Sequence, residues 1–542
     1  MSLAPRIHVF FLLFLLVCSF LIRLIGWDDP YFGFNIARQI TSLNSIDAYA
    51  RDGVDFLKLS AYWTLDGWGH VRLQELPIYQ ALSAWVSGYT QTTLSAARIV
   101  NLFFALLTLP VVFQIAAIHF CRKTAIYSVL FFAFAPLNLM YQSALLIDIS
   151  TVFFASLAYY ILAKYFQGTQ NKTLFFIFLL AGLYCVLVKP LYFLPSGVLL
   201  ATHFFQQWRY PRMKGLLNYT VRHRAVIGLF ALITLSMFLW VGVQSQVNSH
   251  ATTEISRLST SMSSLDYLHL PGHLFEALFY ARILFRGVLV VLNPITFLFF
   301  IFGLLLLFRD HRGSVGVALI YSIIWFHIIF GDVVTSHEYY ELSMVPFASV
   351  IAGRGATWIE ERMQSEFQFV SNYMLSAGII FGTVICSVLI FSVNFIAALN
   401  LEHRADPIEK EMRGVLEQGK GAHVYVDRTN FPIADYVWYN RTAKLMYFTG
   451  LLSKEQIRVG FEPLRHEELM NALRQYGNAE MVISGVTPEI DIKKLQLESK
   501  GNIRYLMFYR FTEEVKAKIK NRIEGYKLTY ESENWLVYDL ML

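Results

Sequence analysis

Charged residues are scarce in this sequence. They make up 15% of its 542 residues, whereas about a quarter is usual in soluble proteins. Hydrophobic residues make up 56%, and the mean hydropathy is +0.46. This composition excludes an ordinary soluble protein and predicts that lipid is the solvent of most of the chain. The 46 Phe, 30 Tyr and 10 Trp suit helices packed in a bilayer with aromatic residues at their interfacial ends.

Paired cysteines are also lacking. Each of the four cysteines lies in or beside an apolar run, and no two have a spacing typical of a disulfide framework or a zinc site. We interpret them as packing residues: they are Cys18, Cys121, Cys185 and Cys386. The formal net charge of +6 does not indicate nucleic-acid binding, because the basic residues lie in loops expected to face anionic membrane lipid.

Apolar runs long enough for transmembrane helices recur along residues 1–400. A hydrocarbon core of ~30 Å needs about 20 helical residues, and we count about eleven such runs. Their approximate bounds are Ile7–Trp27, Ile99–Phe120, Ala125–Tyr141, Ile149–Tyr165, Leu174–Val188, Leu191–Phe205, Ala225–Val243, Ile283–Phe308, Val315–Phe330, Leu342–Ala352 and Tyr373–Leu399. The first run has no small-residue cleavage site, so we interpret it as a membrane anchor rather than a signal peptide.

Lysine and arginine are concentrated in alternate loops, which predicts that these loops are cytoplasmic. The basic loops contain Arg122 and Lys123; Lys164 and Lys172; Arg209, Arg212, Lys214, Arg222 and Arg224; Arg309 and Arg312; Arg354 and Arg362. The outer, periplasmic side is then predicted to hold residues 28–97, 142–149, 244–281, 332–341 and 400–542. In this topology the short apolar segment Leu76–Tyr89 must be interfacial or re-entrant.

Unusual ionisable residues fall on the predicted outer side. They are Asp28, Asp29, Arg38, Asp47, Asp52, Asp55, Asp66, His70, Arg72, Glu75, Asp148, Lys189, Arg282, Arg286, His337, Glu338 and Glu341. Ionisable groups at membrane depth are costly and by default indicate a function, especially where they converge at one face. The sequence therefore predicts a functional site at the outer leaflet of an inner membrane.

Several of these residues have an alternative interpretation. Arg282 and Arg286 can extend to the interface simply to keep their charges in water, and so can Arg23. Asp148 precedes a helix start and can serve as its N-cap. Lys189 precedes a proline, so it can mark no more than a helix break. An ordinary loop histidine is likewise an alternative for the histidine of the fifth outer loop.

One chemistry that would use carboxylates beside cations at a lipid interface is the departure of a lipid phosphate. Arginine holds a phosphate bidentately and lysine holds it as a point charge. A carboxylate would act as general base and remove the proton of an acceptor hydroxyl as that hydroxyl attacks a sugar. The participating residues would come from loops far apart in the sequence.

Three stretches resemble motifs of the GT-C glycosyltransferases, in the family 39 branch of dolichyl-phosphate-mannose protein mannosyltransferases and aminoarabinose lipid A transferases. They are residues 34–42 (FNIARQITS) with 48–53 (AYARDG) and 74–80 (QELPIYQ) in the first loop; residues 135–138 (APLN) followed by Asp148; and residues 337–346 (HEYYELSMVP). Their order and spacing extend the resemblance over roughly residues 20–360. The resemblance implies an inverting transferase with a polyprenyl-phosphate sugar donor and a lipid, glycan or protein acceptor at the outer face.

One departure from the family pattern affects the general base. Thr41 stands where many relatives carry an aspartate, so the base must be another residue or be missing. Asp28 and Asp29 are our first choice, Glu75 is the competitor, and Asp148 is a second acidic group that would position the acceptor or a divalent metal. The donor and its phosphate are predicted to bind Arg38, Lys189, Arg282, Arg286, His337 and Tyr339.

The composition changes after Leu399 to that of an ordinary globular chain. We predict a C-terminal extracytoplasmic α/β domain over residues 401–542, after a transmembrane catalytic domain over residues 1–400. The predicted strands are His423–Val426, Lys444–Phe448, Glu480–Ser484, Tyr505–Phe511, Lys527–Tyr530 and Trp535–Tyr538, with helices at Glu467–Tyr476 and Thr512–Arg522. We find no glycine-rich phosphate loop, metal spacing or nucleophile motif in this part.

Two other classes of function stay open. A non-catalytic binding or scaffold subunit is compatible with Thr41. A transporter or flippase is less well supported, because such proteins typically show internal repeats and charges near the bilayer midplane, and we see neither.

Overall fold

The computed structural model separates the chain into two units, and each is described by itself. The first comprises residues 1–34, 74–246 and 261–397; the second comprises residues 35–73, 247–260 and 398–542. The structure describes residues 14, 17–24, 39, 42–43, 45–46, 49–50, 53–57, 75–90, 92–142, 144–207, 219–249, 277–310, 314–336, 338–366, 372–403, 424–427, 481–485, 505–509, 517, 520–521, 527–531 and 535–539.

The first unit is built of helices. They are α1 (Ile78–Ser87), α2 (Thr93–His119), α3 (Arg122–Ala133), α4 (Pro136–Gln142), α5 (Asp148–Phe166), α6 (Lys172–Val188), α7 (Leu194–Gln207), α8 (Arg224–Ser249), α9 (Ala277–Arg286), α10 (Pro294–Asp310), α11 (Ser314–Ser336), α12 (Val345–Glu366) and α13 (Asn372–His403). Short 3₁₀ turns at Pro190–Phe193 and Glu338–Ser343 and a π turn at Gly287–Val291 connect some of them.

Long apolar helices make this an integral membrane protein. In the described part of the chain, four are long and apolar enough to cross a bilayer, at Thr93–His119, Asp148–Phe166, Arg224–Val247 and Met374–Val393. Lys172–Val188 and Ala318–Ile329 are shorter apolar helices. The total of about eleven spans stays a prediction. Helix α1, at ten residues and 1.5 Å per residue, is too short to span.

The chain reverses direction between successive helices, so alternate loops lie at the same end of the bundle. At one end, Gln167 donates to the carbonyl oxygen of Ile118 at 2.7 Å, and Tyr165 hydrogen-bonds His223 at 2.7 Å. This end carries many of the basic loop residues. Helix α5 runs toward this end, and α6 runs away from it. The first residue of α5 and the residue after α6 therefore meet at the opposite end.

Two runs that the sequence predicts as continuous helices are broken, and those predictions are wrong. The run Ile283–Phe308 bends by 119° between α9 with its π turn and α10. Asn293 makes the bend with φ 63°, and its Oδ1 accepts from the backbone N–H of Thr296 at 2.9 Å. The run Ala125–Tyr141 stops at Ala133 and restarts at Pro136. Hydropathy does not register either break, because the residues around it stay apolar.

Arg23 is buried rather than extended to the interface. Its side chain is 3% exposed. It donates to the carbonyl oxygen of Ser19 at 2.6 Å and to that of Ala133 at 3.1 Å. The guanidinium therefore fastens the first helical segment to the end of α3, where α3 leaves a carbonyl without a helical partner.

Helix α12 packs against α10 and α3 through glycines. A methyl group on Gly355 would clash with the carbonyl oxygen of Phe299, and one on Gly303 would clash with that of Ile351. On the other side of α12, Gly353 lies against Ser128. Small residues let helix backbones approach closely where the surrounding lipid provides no hydrophobic driving force.

A buried carboxylate joins three helices at the basic end of the bundle. Glu360 of α12 is 2% exposed. Its Oε1 lies 3.0 Å from Lys123 Nζ and accepts from Ser376 at 2.9 Å and from Gln364 at 3.0 Å, while Oε2 accepts from Tyr127. Both oxygens are therefore satisfied, as a buried charge requires.

Five of the predicted strands are present in the second unit. They are β1 (Val424–Asp427), β2 (Met481–Gly485), β3 (Tyr505–Tyr509), β4 (Lys527–Glu531) and β5 (Trp535–Asp539), and they form one sheet of order β1-β2-β3-β5-β4. The pairs β1–β2 and β2–β3 are parallel, and the pairs of β5 with β3 and β4 are antiparallel. The predicted strand Lys444–Phe448 and nearly all of the two predicted helices lie outside the described residues, so the α/β domain stays a prediction.

The glycine packing of α12 can be tested by a single methyl group. Gly355→Ala should lower the free energy of unfolding by about 1–3 kcal/mol, because the clash is with backbone that cannot rotate away. Thermal unfolding of the purified protein in detergent, followed by tryptophan fluorescence, measures the change. The matched control is Gly378→Ala on α13, which meets no atom within 4 Å. Equal melting temperatures for the two variants would contradict this account of the packing.

Candidate functional site

An ion pair between Asp148 and Lys189 lies buried at the end of the bundle opposite Glu360. Asp148 is the first residue of α5, and Lys189 follows the last residue of α6. Lys189 Nζ lies 2.6 Å from Asp148 Oδ1. Asp148 is 0% exposed and Lys189 is 8% exposed. Charges withdrawn from water this completely depend on each other, because either one alone would carry a large desolvation penalty.

The hydrogen bonds of Asp148 overturn its alternative interpretation as an N-cap. Ile147 occupies the N-cap position, with no side-chain cap. Tyr192, in the 3₁₀ turn after Lys189, donates its hydroxyl to Asp148 Oδ1 at 2.5 Å. Among the described residues nothing donates to Asp148 Oδ2, although this oxygen is buried. Lys189 likewise points inward rather than merely marking a helix break. One carboxylate oxygen thus holds the structure, and the other is left as an acceptor.

Two tyrosine rings lie over the lysine. They belong to the 3₁₀ turn Glu338–Ser343, called here the tyrosine segment. Lys189 Nζ lies 4.7 Å from the ring centroid of Tyr339 and 4.8 Å from that of Tyr340, which is cation–π distance. Tyr192 also approaches the carbonyl oxygen of Tyr339 at 3.4 Å. The aromatic faces shield the ammonium group from the surrounding lipid while leaving its charge available to an anion.

Further contacts attach the tyrosine segment and the first-loop residues to this end of the bundle. Tyr141 of α4 donates to Glu338 Oε1. Glu75 is 4% exposed, and its Oε1 accepts from Gln80 at 3.3 Å. The backbone N–H of the next residue, Leu76, donates to the carbonyl oxygen of Leu187 at 2.9 Å. Glu75 is thereby attached to the end of α6 that precedes Lys189.

Of the other predicted site residues, two lie on α9 and the rest are not described. Arg282 is exposed on α9, and Arg286 is half-buried at the end of that helix. Asp28, Asp29, Arg38 and His337 lie outside the described residues, as does Thr41. In the part of the chain that the structure describes, no group of three or more His, Cys, Asp or Glu side chains gathers as a metal site would.

Sequence reasoning missed two residues of the site. Tyr192 and Tyr340 both contact the ion pair directly. In a chain with 30 tyrosines neither stands out by residue type. The usable signal was position, since Tyr192 follows Lys189 by three residues and Tyr340 follows the predicted Tyr339 directly.

Comparison with known proteins shows what this chain is similar to. The family model for dolichyl-phosphate-mannose-protein mannosyltransferases matches residues 7–251, a range that contains Glu75, Asp148 and Lys189. No curated protein matches the chain by sequence.

Two solved structures share the fold. ArnT from Cupriavidus metallidurans, solved with undecaprenyl phosphate, is 10% identical with a TM-score of 0.60, over 99% of this chain and 98% of that one. The oligosaccharyltransferase AglB from Archaeoglobus fulgidus, solved with an inhibitory peptide and a dolichol-phosphate, is 11% identical with a TM-score of 0.56, over 94% of this chain and 70% of that one.

These findings confirm the resemblance that the sequence motifs predicted. The chain thus resembles the GT-C glycosyltransferases, in its fold over nearly the whole chain and in its family match over residues 7–251. Within that class, the match is to the branch of dolichyl-phosphate-mannose-protein mannosyltransferases, glycosyltransferase family 39.

The mutual dependence of Asp148 and Lys189 predicts strong coupling between their substitutions. Lys189→Met should cost about 3–5 kcal/mol, because it leaves a buried carboxylate without its cation. Lys189→Met combined with Asp148→Asn should recover much of this loss, since no charge is then left unpaired. A double-mutant cycle on thermal unfolding measures the coupling. If the two single effects simply add, the side chains do not form a stabilising pair.

Proposed function

We propose that this protein transfers a sugar from a polyprenyl-phosphate-linked donor to an acceptor hydroxyl at the outer face of the inner membrane. The acceptor is a lipid, a glycan or a protein. The observation that carries the proposal is the buried Asp148–Lys189 pair beneath two tyrosine rings. The lipid phosphates named for ArnT and AglB support the choice of donor.

Lys189 and Tyr192 are suited to bind the donor phosphate. Both are donors, and both already converge on one anionic oxygen, Asp148 Oδ1. A phosphate oxygen accepts hydrogen bonds from charged and neutral donors, as a carboxylate oxygen does. An ammonium group has three donors, so Lys189 can donate to a phosphate oxygen while it stays paired with Asp148. The tyrosine rings Tyr339 and Tyr340 would hold its ammonium group in position.

The transfer itself needs a carboxylate, and several are available. As the acceptor oxygen forms its bond to the anomeric carbon, its proton passes to the carboxylate, and the bond from that carbon to the phosphate oxygen breaks. The electron pair leaves with polyprenyl phosphate, and in-line attack inverts the configuration. Asp28, Asp29 and Glu75 remain candidate bases. Asp148 Oδ2, to which no described residue donates, is placed to accept from the acceptor or to help position it.

The distribution of charge supports the proposed orientation. The end with the Glu360 cluster carries basic loop residues such as Arg122, Lys123 and Arg362, which favour the cytoplasm. The Asp148–Lys189 pair lies at the opposite end. A donor with its phosphate at the outer leaflet would reach the pair from that side.

Turnover by purified protein tests the proposal. A panel of polyprenyl-phosphate sugars is supplied, and release of polyprenyl phosphate is measured for wild type, Asp28→Asn, Asp29→Asn, Glu75→Gln and Asp148→Asn. We expect wild-type turnover, with one of the carboxamide variants reduced by about 10²–10⁴-fold, the usual contribution of a general base. Because an amide cannot take the proton, raising the donor concentration should not restore the rate.

A buried carboxylate from the other end of the bundle provides the control. Glu360→Gln removes a charge that is as well buried as Asp148, yet it should leave turnover of the folded enzyme unchanged. Donor binding without turnover by wild-type protein would favour a non-catalytic scaffold subunit. If the wild-type protein neither binds nor turns over any donor, the proposed function is ruled out.

A further inference from the structure

A second buried polar pair lies behind the tyrosine segment. Glu341, in the same 3₁₀ turn as the two tyrosines, is 3% exposed. Its Oε1 lies 3.7 Å from Nε2 of His327 on α11, whose side chain is 18% exposed. The contacts of Lys189 and Asp148 described above do not involve Glu341 or His327. It lies close to the proposed phosphate site in sequence and in structure.

The hydrogen bonds of His327 determine which nitrogen faces the carboxylate. Its Nδ1 lies 2.9 Å from the carbonyl oxygen of Ile323. A carbonyl oxygen only accepts, so Nδ1 carries a hydrogen and Nε2 is directed to Glu341. Nε2 and Glu341 Oε1, 3.7 Å apart, form an ion pair when the imidazole carries a second proton on Nε2. Within the described residues nothing donates to the buried Glu341 Oε2, so the contact of His327 with Oε1 is the side-chain contact that the structure gives this carboxylate.

The tyrosine segment is therefore held at both ends of its short turn. Tyr339 meets Tyr192 through its backbone carbonyl and lies with Tyr340 over Lys189. One residue beyond Tyr340, Glu341 reaches α11 through His327. In a turn of six residues, a shift of Glu341 moves the neighbouring rings. The second pair is therefore one of the contacts that can position the rings over the lysine.

We propose that Glu341 and His327 form a positioning pair that holds the rings of Tyr339 and Tyr340 against Lys189 and so sets the affinity of the site for a lipid phosphate. This role rests on the proposed function, because it concerns the same site. Neither residue needs to touch the phosphate. Loss of the pair should therefore weaken binding of the lipid phosphate without abolishing the fold.

Equilibrium binding of radiolabelled undecaprenyl phosphate to the full chain in lipid nanodiscs tests this role. Glu341→Gln and His327→Asn should each weaken binding by about tenfold, within the usual range for coupled neighbours. The double variant should bind no more weakly than the weaker single variant. Glu341→Asp, which keeps the charge, should recover part of the affinity. Glu360→Gln, a buried acid outside the site, should bind like wild type even if its melting temperature falls.

The outcomes separate the positioning role from the function on which it rests. Wild-type protein that binds, together with folded single variants of unchanged affinity, would overturn only the positioning role. Additive losses in the double variant would do the same, because independent residues do not form a pair. Wild-type protein that binds no undecaprenyl phosphate would overturn the proposed function and the positioning role with it. If Glu341→Gln does not fold, His327→Asn with Glu341→Asp decides the outcome.

Discussion

The compensation of a buried charge is the constraint on which the site depends. Lys189 lies among apolar helices, where an unpaired ammonium group would be very costly. Asp148 neutralises it, with Oδ1 2.6 Å from Nζ. The dipoles of the two helices also stabilise both charges. The carboxylate stands at the N-terminus of α5 and the ammonium at the C-terminus of α6, each at the helix end whose dipole favours it by about 0.3–1 kcal/mol. The antiparallel arrangement of α5 and α6 and the electrostatics of the pair therefore support each other.

The buried carboxylates at the two ends of the bundle differ in how fully their oxygens are hydrogen-bonded. Glu360 has donors on both oxygens and joins α3, α12 and α13. Asp148 and Glu341 each have one oxygen with no donor among the described residues. Buried polar atoms in native proteins are nearly always satisfied, so an exception calls for an explanation. The saturated carboxylate has a structural role, and the incompletely satisfied ones lie beside Lys189 and in the tyrosine segment. Under the proposed function, the hydroxyl of the acceptor substrate would supply the missing partner of Asp148 Oδ2.

Sequence reasoning reached the ion pair and Tyr339, but not the rest of the residues around them. Asp148 and Lys189 could be predicted because ionisable residues in apolar sequence are rare and costly. Tyr192, Tyr340 and His327 could not be, because aromatic residues are ordinary in such a chain and their role depends on which helices meet. The bend at Asn293 also escaped prediction, since hydropathy measures apolarity and not backbone direction. The strands of the second unit were easier, because short β-rich runs in a polar chain stand out by composition.

The charge of the pair bears on what else the site requires. Asp148 and Lys189 together are neutral, so a bound phosphodiester donor brings one uncompensated negative charge. After transfer, the polyprenyl monophosphate carries more negative charge than the donor did, and a phosphate monoester approaches two at neutral pH. A neutral pair would hold this product poorly, which favours its release, but it would also stabilise the departing phosphate poorly. We therefore expect a second cation to complete the site during transfer. Arg38, Arg282, Arg286 and His337 are the candidates by sequence, and Arg38 and His337 belong to predicted outer loops that carry the family motifs.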